Sequence, residues 1–65
     1  MKLLDKPLSI KDQEYIISML DGNICRIMVS DDPEEIMYSL GFAVDRISML
    51  AYSRVKEIKT RNKAD

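Results

Sequence analysis

The apolar residues of this chain fall into two blocks with different spacing. In the first block, residues 15–20 and 24–29 are runs rich in β-branched side chains, on either side of Asp21-Gly22-Asn23. Because glycine tolerates the positive φ of a tight turn, Asp-Gly between two such runs is a strong hairpin signal. The pattern predicts a β-hairpin over residues 14–30, with residues 1–13 as an arm or a third, edge strand.

A helix is the competing interpretation of the first run. Ser9 followed by Asp12 resembles a helix start. Three apolar residues would then share one helical face, namely Ile10, Ile17 and Leu20. Asp21-Gly22 would be the C-cap of that helix. The β-hairpin is the favoured interpretation.

The second block predicts one long helix from about residue 33 to about residue 60, followed by a disordered tail over residues 61–65. Asp32 is a suitable N-cap, and Pro33 suits the first helical position. Acidic residues at the start and basic residues near the end complement the helix dipole. Gly41 is the weak point, since it could end a short helix, with a second helix beginning after it.

This helix has two apolar faces. The first is an ordinary core face at 3.6-residue spacing; it consists of Ile36, Leu40, Ala43, Val44, Ile47, Leu50, Ala51 and Ile58. The second, nearly opposite, is called the aromatic strip and consists of Tyr38, Phe42, Asp45, Met49 and Tyr52. The preceding residues can cover only one face, so the aromatic strip is the predicted partner interface. Asp45 within it needs a counter-charge, either Arg46 or Arg54 of a second copy.

The expected fold class is α+β. An N-terminal antiparallel β-hairpin, with a possible third strand, precedes one long C-terminal α-helix in a single small domain. A chain this short buries only about 60% of its unfolded surface, and such domains often need disulfides, metals or oligomerisation. The single cysteine excludes an internal disulfide, and the absence of histidine excludes a Cys/His zinc site. A homodimer or higher oligomer is therefore expected.

Charge and hydropathy limit the other partners. The net charge of −1 gives no strong field for nucleic acid or an anionic membrane. No apolar run approaches the roughly 18 residues of a spanning helix, and the first residues are too short an apolar stretch for a signal peptide. A free cysteine without an export signal is typical of a reducing cytoplasm. A cytoplasmic protein without a membrane partner is expected.

No catalytic, metal or cofactor site is expected. Cys25 has no histidine to activate it and is expected to be buried or half-buried in a strand. The acidic residues within 31–35 are interpreted as helix capping rather than a cation site. The isolated Gly22 and Gly41 form no phosphate-binding loop. Five basic side chains are weak candidates for phosphate contacts, namely Arg26, Arg54, Lys56, Lys59 and Arg61.

If Gly41 breaks the helix, a strand and two helices follow one another over roughly residues 24–60. This order is similar to that of the ribbon-helix-helix family of repressors, in which strands from two chains pair and enter the major groove. The resemblance rests on order and length only, and it implies a dimeric DNA-binding regulator. The chain departs from the family in charge, because the strand offers only Arg26 as a basic base-reader and Asp31-Asp32 follows it.

The favoured function is that of a small, non-enzymatic, homo-oligomeric interaction protein. It would bind itself and another protein, in the manner of bacterial or bacteriophage accessory proteins. A ribbon-helix-helix-like DNA-binding regulator is the alternative. The third hypothesis is an oligomer that sequesters a small ligand at an interface lined by Tyr38, Tyr52 and the helix N-termini near Glu34.

Overall fold

A computed structural model describes residues 6–63, and within that range it contains two α-helices. Helix α1 spans Ile10–Val29 and helix α2 spans Pro33–Lys63. A short turn, residues 30–32, reverses the chain, so the two helices lie side by side as an antiparallel helical hairpin. The molecule measures 52 × 20 × 13 Å. Since one helix with its side chains is about 10–12 Å across, the hairpin is one helix thick and leaves both broad sides uncovered.

The predicted β-hairpin over residues 14–30 is wrong, and with it the α+β fold class. The part of the chain that the structure describes holds no strand, and α1 runs without interruption through Asp21-Gly22-Asn23. Gly22 does not have a positive φ, so it does not turn the chain. Two of the β-branched residues, Ile16 and Ile27, are buried or half-buried between the helices, and burial against a neighbouring element outweighs intrinsic β-propensity.

The competing helix interpretation is right about where α1 begins and wrong about where it ends. Ser9 is the N-cap, and its hydroxyl accepts a hydrogen bond from the backbone N–H of Asp12 at 3.1 Å. The helix continues past Asp21-Gly22 to Val29. There Ser30 takes an extended conformation, and its N–H donates to the carbonyl oxygen of Arg26 at 2.9 Å.

Helix α2 begins where the capping pattern predicts. A carboxylate oxygen of Asp32 accepts from the N–H of Glu34 at 3.0 Å, and the Asp32 carbonyl accepts from Ile36 at 3.0 Å. The helix passes through Gly41, so the alternative of two shorter helices is wrong. It reaches Lys63, which makes residues 61–63 helical rather than part of a disordered tail; residues 64 and 65 lie outside the described range.

Residues 6–9 lie against the far end of α2. The N–H of Leu8 donates to the hydroxyl of Ser53 at 2.9 Å, and the Gln13 side chain donates to the Leu8 carbonyl at 2.9 Å. Within the predicted arm or edge strand over residues 1–13, residues 6–9 therefore form a short segment docked on α2, and residues 10–13 are the first turn of α1. Residues 1–5, which belong to the same prediction, lie outside the described residues.

The two helices meet along a line of buried and half-buried side chains, called here the hairpin seam. On α1 it consists of Gln13, Ile16, Leu20, Asn23 and Ile27. On α2 it consists of Ile36, Ser39, Ala43, Arg46, Leu50, Ser53 and Glu57. The spacing alternates between three and four residues, as in a coiled coil.

The hairpin seam makes a thin core. Four of its side chains are buried, and only two of these, Ile16 and Ala43, are apolar; the others are Ser39 and Ser53. Small side chains allow the helices to approach closely, but they remove little apolar surface from water. The hairpin alone therefore has a modest driving force for folding, in line with the expectation for a chain of this length.

Candidate interaction surface

Helix α2 carries a second regular row of apolar side chains, each one position after a hairpin-seam residue. The row consists of Met37, Leu40, Val44, Ile47, Ala51 and Ile58. One residue step rotates a side chain by about 100° around a helix, so the row points to one flank of the hairpin. It repeats the alternating three- and four-residue spacing, interrupted only at Arg54, and this spacing is typical of a helix that packs against another helix.

The second row lies in water. Met37 is 63% exposed, Ile47 is 53%, Val44 is 52% and Leu40 is 44%. The core face expected from the sequence is thus divided in two by the structure. Its members Ile36, Ala43 and Leu50 are buried or half-buried in the hairpin seam, whereas the remainder of that face is exposed.

Helix α1 adds apolar side chains to the same flank. Ile17 and Ile24, each 46% exposed, and Met28, 77% exposed, also come one position after hairpin-seam residues. In an antiparallel helix pair, equivalent positions of the two helices lie on the same flank. The combined surface is called the aliphatic face; it consists of Ile17, Ile24 and Met28 of α1 and Met37, Leu40, Val44, Ile47, Ala51 and Ile58 of α2.

The aromatic strip lies on the opposite flank, because each of its residues comes one position before a hairpin-seam residue. Tyr38 is 70% exposed, Phe42 is 53% and Tyr52 is 45%, while Met49 is half-buried. Phe42, Asp45 and Met49 line a shallow groove together with Tyr15 and Met19 of α1. The strip is therefore accessible, and whether a partner covers it stays a prediction.

A salt bridge joins the helices on this second flank, where Arg26 of α1 lies 3.4 Å from Glu35 of α2. Arg46 extends from the hairpin seam, donates a hydrogen bond to the side-chain oxygen of Asn23 and lies 5.2 Å from the centre of the Phe42 ring. Arg46 is thus occupied with α1 and with Phe42. Asp45 remains exposed, so Arg46 is not the counter-charge that the sequence suggested for it.

The five candidate phosphate contacts do not form one patch. Arg26 is level with Glu35 near the turn, and 19 residues of α2, about 29 Å at 1.5 Å per residue, separate Glu35 from Arg54. Arg54 and Arg61 lie 2.8 and 3.4 Å from Glu57, which partly neutralises them, and Lys56 and Lys59 share that end of α2.

The resemblance to ribbon-helix-helix repressors loses its structural basis. Residues 24–29, which would have to form the DNA-reading strand, are the last two turns of α1. Cys25 is also placed differently from expectation, since it is exposed on α1 rather than buried or half-buried in a strand.

Charge is divided sharply along the second half of the chain. Residues 31–45 contain five acidic residues and no basic residue, whereas residues 46–63 contain six basic residues and one acidic residue. These two segments therefore carry formal charges of −5 and +5. The turn of the hairpin is its acidic end, and the C-terminal part of α2 is its basic end.

No family model, curated protein or solved structure matches the chain. Among the residues described, no helix combines the length and the apolar composition needed to cross a membrane. Within the same range, no three acidic or cysteine side chains gather into a group suited to a metal ion.

Sequence reasoning named most residues of the aliphatic face but assigned them to the core. One sequence signal could have separated the aliphatic face from the core. Residues of α2 form two rows with the same heptad-like spacing, and the second row follows the first by one residue. The first row contains serine, arginine and glutamate, and the second is almost entirely aliphatic. A search for apolar residues at 3.6-residue spacing does not distinguish the two rows and treats them as one broad face.

Proposed function

We propose that this chain is a non-enzymatic interaction protein that acts by self-association through its aliphatic face. The observation that supports the proposal most strongly is that the more apolar of the two heptad-spaced rows on α2 lies in water. A helix with two such rows pairs with two neighbours, and α1 is only one of them.

The exposed area is large enough to drive association. Burying a Val, Leu, Ile or Met side chain completely stabilises by about 1.5–3 kcal/mol, so covering the exposed half gives about 0.7–1.5 kcal/mol. Eight large side chains of the aliphatic face, on each of two chains, would contribute about 11–24 kcal/mol by the same measure. Association costs about 4–15 kcal/mol in lost freedom. At the midpoints of these two ranges the net gain is about 8 kcal/mol, which corresponds to a Kd of about 1 μM.

The geometry fits a four-helix bundle made from two hairpins. The row that faces α1 and the row that faces the partner are about 100° apart around α2, close to the right angle between neighbours in a square bundle. Ile17 and Ile24 would be covered by α1 of the second copy across the same interface. Such an assembly encloses the aliphatic face in a core that the isolated hairpin lacks.

Sedimentation velocity over a range of protein concentrations tests the proposal. The expected result is a concentration-dependent dimer or larger assembly, with helical circular dichroism throughout. A helical monomer that persists at submillimolar concentration would contradict it. Binding to a further protein, as expected from the sequence, would then use surfaces outside the aliphatic face.

A further inference from the structure

We infer that the partner on the aliphatic face is a second copy of this chain whose α2 runs antiparallel to the first. This inference rests on the proposed self-association and adds the orientation and register of the two α2 helices. It is supported by the division of charge along the chain and by the sizes of the side chains in the aliphatic row.

Charge selects the orientation. When two α2 helices pack along their aliphatic rows in parallel, the −5 segment of one lies beside the −5 segment of the other, and the two +5 segments also meet. In the antiparallel arrangement each −5 segment lies beside a +5 segment. Like charges within a Debye length of about 8–10 Å repel each other at moderate salt, so the antiparallel pair is favoured. The helix dipoles favour the same orientation.

Side-chain size selects the register. In antiparallel helix pairs, the alternating positions of one row pack against the complementary positions of the other. A twofold axis level with the peptide bond between Asp45 and Arg46 sets Val44 beside Ile47 of the partner subunit. The next layer sets Leu40 beside Ala51 of the partner subunit. Each of these central layers then joins a larger side chain with a smaller one, which favours close packing.

The same register explains the interruption of the row at Arg54. That side chain falls level with Met37 of the partner subunit, one turn from the acidic residues at the start of the partner's α2. In the same alignment Lys56 lies level with Glu35 of the partner subunit, and Lys59 lies level with Asp32 of the partner subunit. These two lysines thus lie level with opposite charges, while Arg54 itself borders the apolar layers at each end of the interface.

Disulfide trapping tests the orientation in a Cys25→Ser background, where no native thiol remains. A disulfide requires Cα atoms about 4.4–6.8 Å apart, so only facing positions cross-link readily. Two single variants are prepared, Leu40→Cys and Ala51→Cys, with Tyr38→Cys as a control on the opposite flank. Each is oxidised alone and in equimolar mixture under mild conditions, and the products are separated on non-reducing gels.

The antiparallel register predicts that the mixture of Leu40→Cys and Ala51→Cys yields a cross-linked heterodimer at least tenfold faster than either variant alone or than the Tyr38→Cys control. Efficient cross-linking of Leu40→Cys with itself would indicate a parallel pair and overturn the inference. A stable dimer in which the mixture does not cross-link would overturn it as well. If the Cys25→Ser protein instead sediments as a monomer, the proposed function itself fails, so the two failures are distinguishable.

Salt dependence gives a second, independent readout on the Cys25→Ser protein. Raising the sodium chloride concentration screens the charges and should increase the dimer Kd several-fold, because the antiparallel pair loses attraction. A dimer that tightens with salt over the same range would contradict the antiparallel orientation, since screening relieves repulsion in a parallel pair.

Discussion

Replacing Ile47 by aspartate places a charge in the middle of the aliphatic face. Ile47 is 53% exposed in the hairpin and makes no contribution to the hairpin seam, so the variant should keep its helices. In the proposed dimer the same side chain is close to the twofold axis and is covered by the second copy. The substitution should therefore act on association and leave the fold of the single chain nearly unchanged.

The expected effect can be worked from the exposed fraction. Losing the burial of half an isoleucine costs about 0.8–1.5 kcal/mol per chain, or about 1.5–3 kcal/mol per dimer. The two introduced carboxylates add their mutual repulsion, about 0.5–2 kcal/mol at 8 Å for an effective dielectric constant between 80 and 20. Desolvation of each carboxylate adds further cost. A total of at least about 3 kcal/mol corresponds to more than a 100-fold increase in Kd.

Sedimentation equilibrium measures the Kd, and circular dichroism measures helicity on the same samples. Tyr38→Asp is the matched control, because Tyr38 is 70% exposed on the aromatic strip and also lies on α2. The control should leave the Kd within a few-fold of the parent protein. An unchanged Kd for Ile47→Asp would refute the assignment of the aliphatic face. Dissociation caused by Tyr38→Asp alone would place the interface on the aromatic strip instead, as the sequence first suggested.

Three further predictions concern the single hairpin and are measured in the Ile47→Asp background, where association does not contribute. Asp32→Ala should lower the free energy of unfolding by about 1 kcal/mol because the α2 cap is lost, while Asp31→Ala, one residue outside the cap, should have little effect in the same urea titration. Gly41→Ala should raise the free energy of unfolding by about 0.5–1 kcal/mol, since a Cβ there would meet no atom within 4 Å; a loss of stability would mean that α2 is not continuous at this residue. Ser53→Ala removes the hydroxyl that accepts a backbone hydrogen bond from the N-terminal segment and should cost about 0.5–1.5 kcal/mol; unchanged amide exchange in residues 6–9 would contradict that role.

The second half of the fold could be predicted from sequence because its signals are local. The side chain of Asp32, the fixed φ of Pro33 and the acidic first turn act within a few residues of one another, and they set the start of α2 regardless of the rest of the molecule. The local sequence does not determine the conformation at Gly41, because a glycine is compatible with both a helix interior and a helix end.

The first half was predicted wrongly because its local and non-local signals disagree. β-Branched residues around Asp21-Gly22 favour a hairpin locally. The spacing of Ile16, Leu20 and Ile27 favours a helix, but it stabilises that helix only when a second helix covers those side chains. Pairing with α2 supplies that cover, and the glycine then costs only about 1 kcal/mol within the helix.

The candidate surface shows the same division. Composition and spacing alone determined that residues 33–60 carry more apolar surface than one neighbour can cover, that no disulfide can form within one chain, and that acidic and basic residues separate along the chain. Only the tertiary structure decided which apolar row faces α1 and which faces water. The two rows differ by a rotation of about 100° around one helix. A sequence pattern shows that both rows exist, but it does not show from which direction the neighbouring helix packs.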